Sequence, residues 1–210
     1  MISHKLNYSL TTFWEFLIYT EASVEAEDQT KHLAPPVAKH IKGFQPLHEA
    51  ELEAARQTRK VEAQVARANA ALDESLTTLH NKALGLVVQE RSEPAFTRLF
   101  PDPVSDQVRF GLVEQLEVNR VTLKALEDSK KLYPEAFVKE QAAQLRAAIA
   151  VGDAAKQARQ ANEIKLADLR LRLNDWKQDA NTVLTAVESA LNNIAADKKL
   201  GRKWPRSFFA

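Results

Sequence analysis

Five histidines and 28 acidic side chains are the residues of this 210-residue chain best suited to metal or acid–base chemistry. In a helix-rich chain the first chemistry to test is a carboxylate-bridged di-iron centre. It takes Glu-x-x-His pairs, because that spacing points both side chains inward from one helix face. The residues three before His4, His32, His40, His48 and His80 are Met1, Gln29, Val37, Gln45 and Thr77. None is Glu, so the motif is absent. His48-Glu49-Ala50-Glu51-Leu52 opens like a zinc-protease helix, but Leu52 stands where the second histidine is required. His32, His40 and His48 fall at equal spacing, with Pro35, Pro36 and Pro46 breaking any common helix face. All five histidines are expected to be ordinary surface or helix-end residues.

Other chemistries fare no better. There is no Cys, which removes thiolate metal sites, disulfides and cysteine nucleophiles. No phosphate-binding loop, dinucleotide fingerprint or G-x-S-x-G elbow occurs. With five Gly, the chain lacks the loops on which small-molecule sites are usually built. The expectation is a protein that is not an enzyme, with no catalytic residues, no metal, no cofactor and no evident small-molecule substrate.

Two terminal stretches remain as candidate contact sites. The tail, residues 201–210, reads GRKWPRSFFA, with Arg202, Lys203 and Arg206 interleaved with Trp204, Phe208 and Phe209. One reading folds these aromatics back onto the protein's own base, with the cations facing the acidic first helix. A second makes them anchors for another protein or subunit, since Trp, Phe and Arg are typical of interfaces. A third places them on a membrane surface or nucleic acid. At the other end Leu6, Tyr8 and Leu10 alternate with Lys5, Asn7 and Ser9, a weak strand signal without a partner strand. It reads as an extended arm packed on helices, or alternatively as an arm donated to a neighbouring subunit. The partner-contact candidates are therefore Arg202, Lys203, Trp204, Arg206, Phe208, Phe209, Leu6 and Tyr8.

The elements that must position these residues are helical. Ala, Leu, Glu, Gln, Lys and Arg dominate, a helix-former composition. From Leu145 through Ala148, Gly152, Ala155, Leu166, Leu169, Leu173, Trp176, Ala180, Val183 and Val187 the apolar positions step by three and four. Arg159 and Asn162 fill the two polar slots. This predicts one helix over 135–199, roughly 100 Å long, with Pro134 opening it and Gly201 ending it. The stripe keeps its phase across Gly152, so the helix is expected to continue there. Further helices are expected over about 12–32, 46–92 and 104–132. Thr11 or Thr12 would cap the first, Glu15 would complete a capping box, and Pro35–Pro36 would end it. The second carries the stripe Leu52, Ala55, Val61, Val65, Ala68, Leu72, Leu76, Leu79, Ala83 and Leu86. Asn119 and Asn162 fall near the seams and are read as setting register.

The fold class is all-α: an elongated antiparallel bundle of long, heptad-patterned, coiled-coil-like helices, read as one domain over 1–200 with the tail appended. Residues 93–103 either reverse the chain, giving an up-down-up-down bundle, or merely jog it. The combined length of the second and third helices roughly matches the fourth, which favours the jog. The arm and tail, at opposite ends of the sequence, would then suit head-to-tail contacts.

The expected role is a structural or scaffolding helical protein, with self-assembly as one form of it, whose partner is another protein or copies of itself in a homo-oligomer. Two alternatives are a membrane-active pore-forming or remodelling bundle and a nucleic-acid-binding accessory protein. The segments 83–88 and 142–151 are short and charge-flanked, which fits packing together in the core and argues against integral insertion. A net charge of +1 gives no global attraction to nucleic acid. The N-terminus lacks a signal-peptide pattern, so a cytoplasmic location is expected.

Overall fold

In a computed structural model describing residues 4–209, the chain is all-α, with no strand among those residues. The helices are α1 (Leu10–Glu25), α2 (Ala34–Ile41), α3 (Phe44–Leu86), α4 (Pro94–Leu99), α5 (Val104–Gln107), α6 (Leu112–Asp128) and α7 (Glu135–Asp197). Single 3₁₀ turns lie at Lys31–Leu33 and Pro205–Phe208. The chain divides into two compact units. Unit 1 runs up to Ala55 and resumes at Lys165, so it includes the tail; unit 2 is Arg56–Ile164.

Unit 1 is built on α1, α2, the start of α3 and the C-terminal part of α7. Leu10, Phe13, Leu17 and Val24 lie on one face of α1 at steps of three, four and seven, and all are buried. They meet Val37, Phe44 and Leu47 and, from α7, Trp176, Ala180, Leu184, Val187 and Leu191. The α1 cap differs from expectation. Ser9, in extended conformation, accepts the Thr12 N–H at 3.0 Å, so the helix begins at Leu10. Leu6-Tyr8-Leu10 alternation disguises this, because Leu10 is already the first buried residue of the helix. The end also differs. Helix α1 stops at Glu25, and the buried Thr30 hydroxyl lies 2.6 Å from the Val24 carbonyl and 3.0 Å from that of Glu27. Pro35 and Pro36 open α2 and do not end α1; a first helical turn has no use for their missing N–H groups.

Unit 2 is a three-helix core of α3, α6 and α7 closed by α4 and α5. Gln115 donates to Asp73, and Ser75 Oγ lies 3.0 Å from Asn119 Oδ1, so α6 runs parallel to α3. Lys82 pairs with Glu140 at 2.7 Å and Asn162 donates to Thr58 at 3.1 Å, so α7 runs antiparallel to α3. Arg120 with Asp153 (2.5 Å) and Arg146 with Glu127 make α7 antiparallel to α6 as well. The segment 87–111 therefore carries the chain back, and α6 begins level with Leu72. The length match was misleading: α6 lies beside α3, not beyond its end. The expected helix over 104–132 is also broken, since α5 ends at Gln107 and α6 starts after the extended Gly111. Ala83 and Leu84 share a core with Ala142 and Leu145, so the two apolar segments pack together.

Helix α7 is continuous through Gly152. A Cβ built there would lie 2.6 Å from Leu116 Cδ2 and 3.2 Å from Leu72 Cδ1. The glycine permits close approach of α6 and α3; it is not a hinge. Seam asparagines do pair across helices: Asn119 with Ser75, and Asn162 with Thr58. Arg159 is exposed and bonds Glu163 at 3.0 Å, so it is not a seam residue. Leu52, placed in the α3 stripe, is also exposed.

Both long helices end in a reversal with a non-glycine residue in the left-handed region. After α3, Val88 has φ 52°, with Gln89 N–H on the Leu84 carbonyl (3.0 Å). After α7, Lys199 has φ 54°, with Leu200 N–H on the Ala195 carbonyl (2.8 Å). This is Schellman geometry. Gly201 lies two residues too late to be the stop that the sequence suggests, and no glycine among the described residues has positive φ.

Candidate interaction surface

The arm packs on α1 and α7 of unit 1, but it is not the extended segment expected: the Tyr8 N–H closes a turn on the Lys5 carbonyl at 3.0 Å. His4 N–H donates to Asn181 Oδ1 and Asn181 Nδ2 donates to the His4 carbonyl, each at 2.9 Å. Lys177 Nζ donates to the carbonyls of Leu6 (3.1 Å) and Tyr8 (2.6 Å) and sits 5.8 Å from the Phe13 ring centroid. Lys177 is 9% exposed, and burial pushes its pKa below the usual lysine value while Glu51 opposes the shift. The His4 ring stacks on Phe16 with centroids 3.7 Å apart, and Tyr8 lies tilted against the same ring at 6.2 Å. Leu6 and Tyr8 remain 41% and 40% exposed.

The tail folds back onto the same helix. Phe208 is 2% exposed in the unit 1 core, with Trp204 and Phe209 packed against it. Trp204 and Phe208 meet edge to face at 4.8 Å. The Tyr19 hydroxyl donates to the Ser207 carbonyl at 3.5 Å. Tail aromatics thus close the chain's own base. Arg202, Lys203 and Arg206 are exposed and form no ion pair within 4.0 Å among the described residues. Nearby, Lys198 Nζ donates to Gln29 Oε1 at 2.5 Å.

Arm and tail are therefore brought together. Both pack on one flank of α1, the arm at Phe16 and the tail at Tyr19, one helical turn apart. Glu21 and Glu25 add acidic charge to α1, and burial, then Glu25, raises the Glu21 pKa. Leu6, Tyr8 and Tyr19 are exposed apolar side chains of the arm and α1, and Arg202, Lys203 and Arg206 are exposed cations of the tail. Phe16 and Tyr19 were missed as site residues because the sequence places them in a broad apolar face. Lys177 and Asn181 were missed because their four-residue spacing reads as a solvated face; their one signal is to follow the seam residues Trp176 and Ala180 directly.

Exposed His32 and His40, at the end of α2, stand in surface or helix-end places as expected, whereas His4, His48 and His80 are part-buried against aromatic rings. His40 stacks on Trp176 at 4.8 Å and His48 on Phe44 at 5.2 Å, while Trp14 covers Phe44 at 4.9 Å. His80 stands edge-on to Phe96 and Phe100 at 5.3 and 5.1 Å. Only His32 of the five is exposed. Burial lowers the pKa of His4 and of His40; for His40 the Trp176 carbonyl and Asp179 pull the other way. The His40 ring serves packing: its Nε2 meets the Trp176 carbonyl at 3.0 Å. Among the described residues no three His, Asp or Glu side chains gather as a metal site, and no helix is long and apolar enough to cross a membrane. No protein-family model, curated protein or solved structure matches the chain.

Proposed function

We propose that the protein is a non-enzymatic helical scaffold acting through protein–protein contacts, including contacts between copies of itself, and that the arm–α1–tail face of unit 1 is the contact surface. The observation carrying this reading is the convergence of the two chain ends on α1. The arm packs on α1 at Phe16 and the tail at Tyr19, leaving Leu6, Tyr8 and Tyr19 partly exposed on unit 1, whose tail also carries the exposed cations Arg202, Lys203 and Arg206. Single exposed apolar residues are ordinary on any surface. A cluster of aromatics with arginine is what interface centres favour.

Light scattering with small-angle scattering over a range of concentrations tests the reading. The full chain is expected to gain mass with concentration. Arg202→Glu with Lys203→Glu and Arg206→Glu is expected to remove that gain while leaving Phe208 in the core. A monomer at every concentration, with or without these charges, overturns the self-association part.

A further inference from the structure

The arm is held by its backbone. Asn181 exchanges two hydrogen bonds with the main chain of His4, as a residue of a neighbouring strand would. Lys177 takes the carbonyls of Leu6 and Tyr8. No arm side chain takes part in these four bonds. Residue identity enters at His4, whose ring lies on Phe16 and meets Phe13 edge-on at 6.0 Å. The groove also extends beyond the arm along α7, past Gln178 and Thr182 to Ala186.

We propose that Lys177 and Asn181 form a docking groove for the N-terminal arm of a second copy of this chain, exchanged for the chain's own arm when two copies are held together. This rests on the self-association reading above. An arm from a second copy makes the same four bonds and the same ring stack, so exchange loses no contact; swapping an identical element is a low-cost route to a dimer. A peptide of foreign sequence would keep the backbone bonds only by adopting the arm's turn, in which the Tyr8 N–H meets the Lys5 carbonyl at 3.0 Å, and would lose the His4 stack. Ser9, already extended at ψ 159°, is the joint between the arm and α1. Within one chain the arm's effective concentration is on the order of millimolar. Exchange therefore requires copies held side by side, and the α1 face adjoins the groove.

The absence of Cys makes a direct test possible. Leu6 and Thr182 line the same groove. One full-length chain carries Leu6→Cys, a second, differently tagged chain carries Thr182→Cys, and the mixture is treated with a short bis-maleimide. A chain carrying both substitutions reports the reach within one molecule. The expected result is a cross-link in the double variant and a concentration-dependent inter-chain cross-link in the mixture. Asn181→Asp, which loses the donor to the His4 carbonyl, should slow both about fivefold. If mass rises with concentration while only the double variant cross-links, exchange is overturned and the self-association reading stands. If neither mass nor inter-chain product rises, both fall. A double variant that fails to cross-link overturns the groove itself.

Discussion

Replacing Gly152 with Ala sets two effects of known size against each other. Ala in a helix interior is favoured over Gly by about 1 kcal/mol. Against this, the new methyl would stand 2.6 Å from Leu116 Cδ2, 3.2 Å from Leu116 Cγ and 3.2 Å from Leu72 Cδ1. Turning the tip of Leu116 leaves the Cγ contact in place. Both leucines are fully buried, and α6 is tied to α3 at either side of Leu116 by the Gln115–Asp73 and Asn119–Ser75 bonds. Overpacking of this kind costs about 1–3 kcal/mol, so Gly152→Ala should destabilise by about 1 kcal/mol net. Gly85→Ala is the control, because a Cβ there meets nothing within 4 Å, and it should stabilise by up to about 1 kcal/mol. Urea unfolding followed by far-UV circular dichroism reads both. In a Leu116→Ala background the clash is gone, and Gly152→Ala should become favourable, a coupling of about 2 kcal/mol. If Gly152→Ala stabilises the wild-type chain as much as Gly85→Ala does, the close-approach argument is wrong.

Other perturbations test other parts of the fold. Val88→Gly and Lys199→Gly each relieve a left-handed residue and should raise stability by about 1 kcal/mol in urea titrations, with no change in helicity. Gln141 is buried, and neither end of its amide meets a protein hydrogen-bond partner; Gln141→Leu should raise the unfolding midpoint by about 1 kcal/mol equivalent. His4 and His40 have folded pKa values below 6.5, so the unfolded chain takes up their protons first. Their effect on stability is absent above that pH and becomes a loss as pH falls through it toward the folded values. Trp14, Trp176 and Trp204 all lie in unit 1, so the tryptophan-monitored urea midpoint should be lower at about pH 5.5 than at about pH 7.5. An equal or higher midpoint at the lower pH refutes that assignment.

Helix type and much of the seam were legible because periodicity is a local signal. Leu145, Ala148, Leu169, Trp176 and Val187 are buried as their spacing requires, and α7 starts just after Pro134. Direction was not legible. Parallel and antiparallel neighbours have the same heptads, so nothing in 104–132 could reveal that α6 lies beside α3. The stop of α7 misled because Gly201 was taken as the left-handed residue, whereas the exposed Lys199 adopts that conformation, as Val88 does after α3. At the candidate surface, the tail's composition singled out Trp204 and Phe208. Whether an aromatic faces its own core or a partner depends on where Tyr19 and Val24 stand, which the tail's own sequence does not contain. Lys177 and Asn181 act on main-chain atoms, and such a role leaves no residue-type signature on the arm they hold.

Unit 1 is interrupted in sequence by unit 2, and this orders events on the ribosome. Phe13, Leu17 and Val24 leave the exit tunnel early, yet the residues that cover them include Trp176, Leu184 and Leu191. At typical translation speeds, those partners follow on the order of ten seconds later. Through that interval the apolar face of α1 lacks its α7 partners, whereas Arg56–Ile164 has every residue of its own unit as soon as Ile164 is made. The nascent first helix is expected to stay protease-sensitive until Lys165–Ala210 emerges, and slowing translation after Ile164 should lengthen that window.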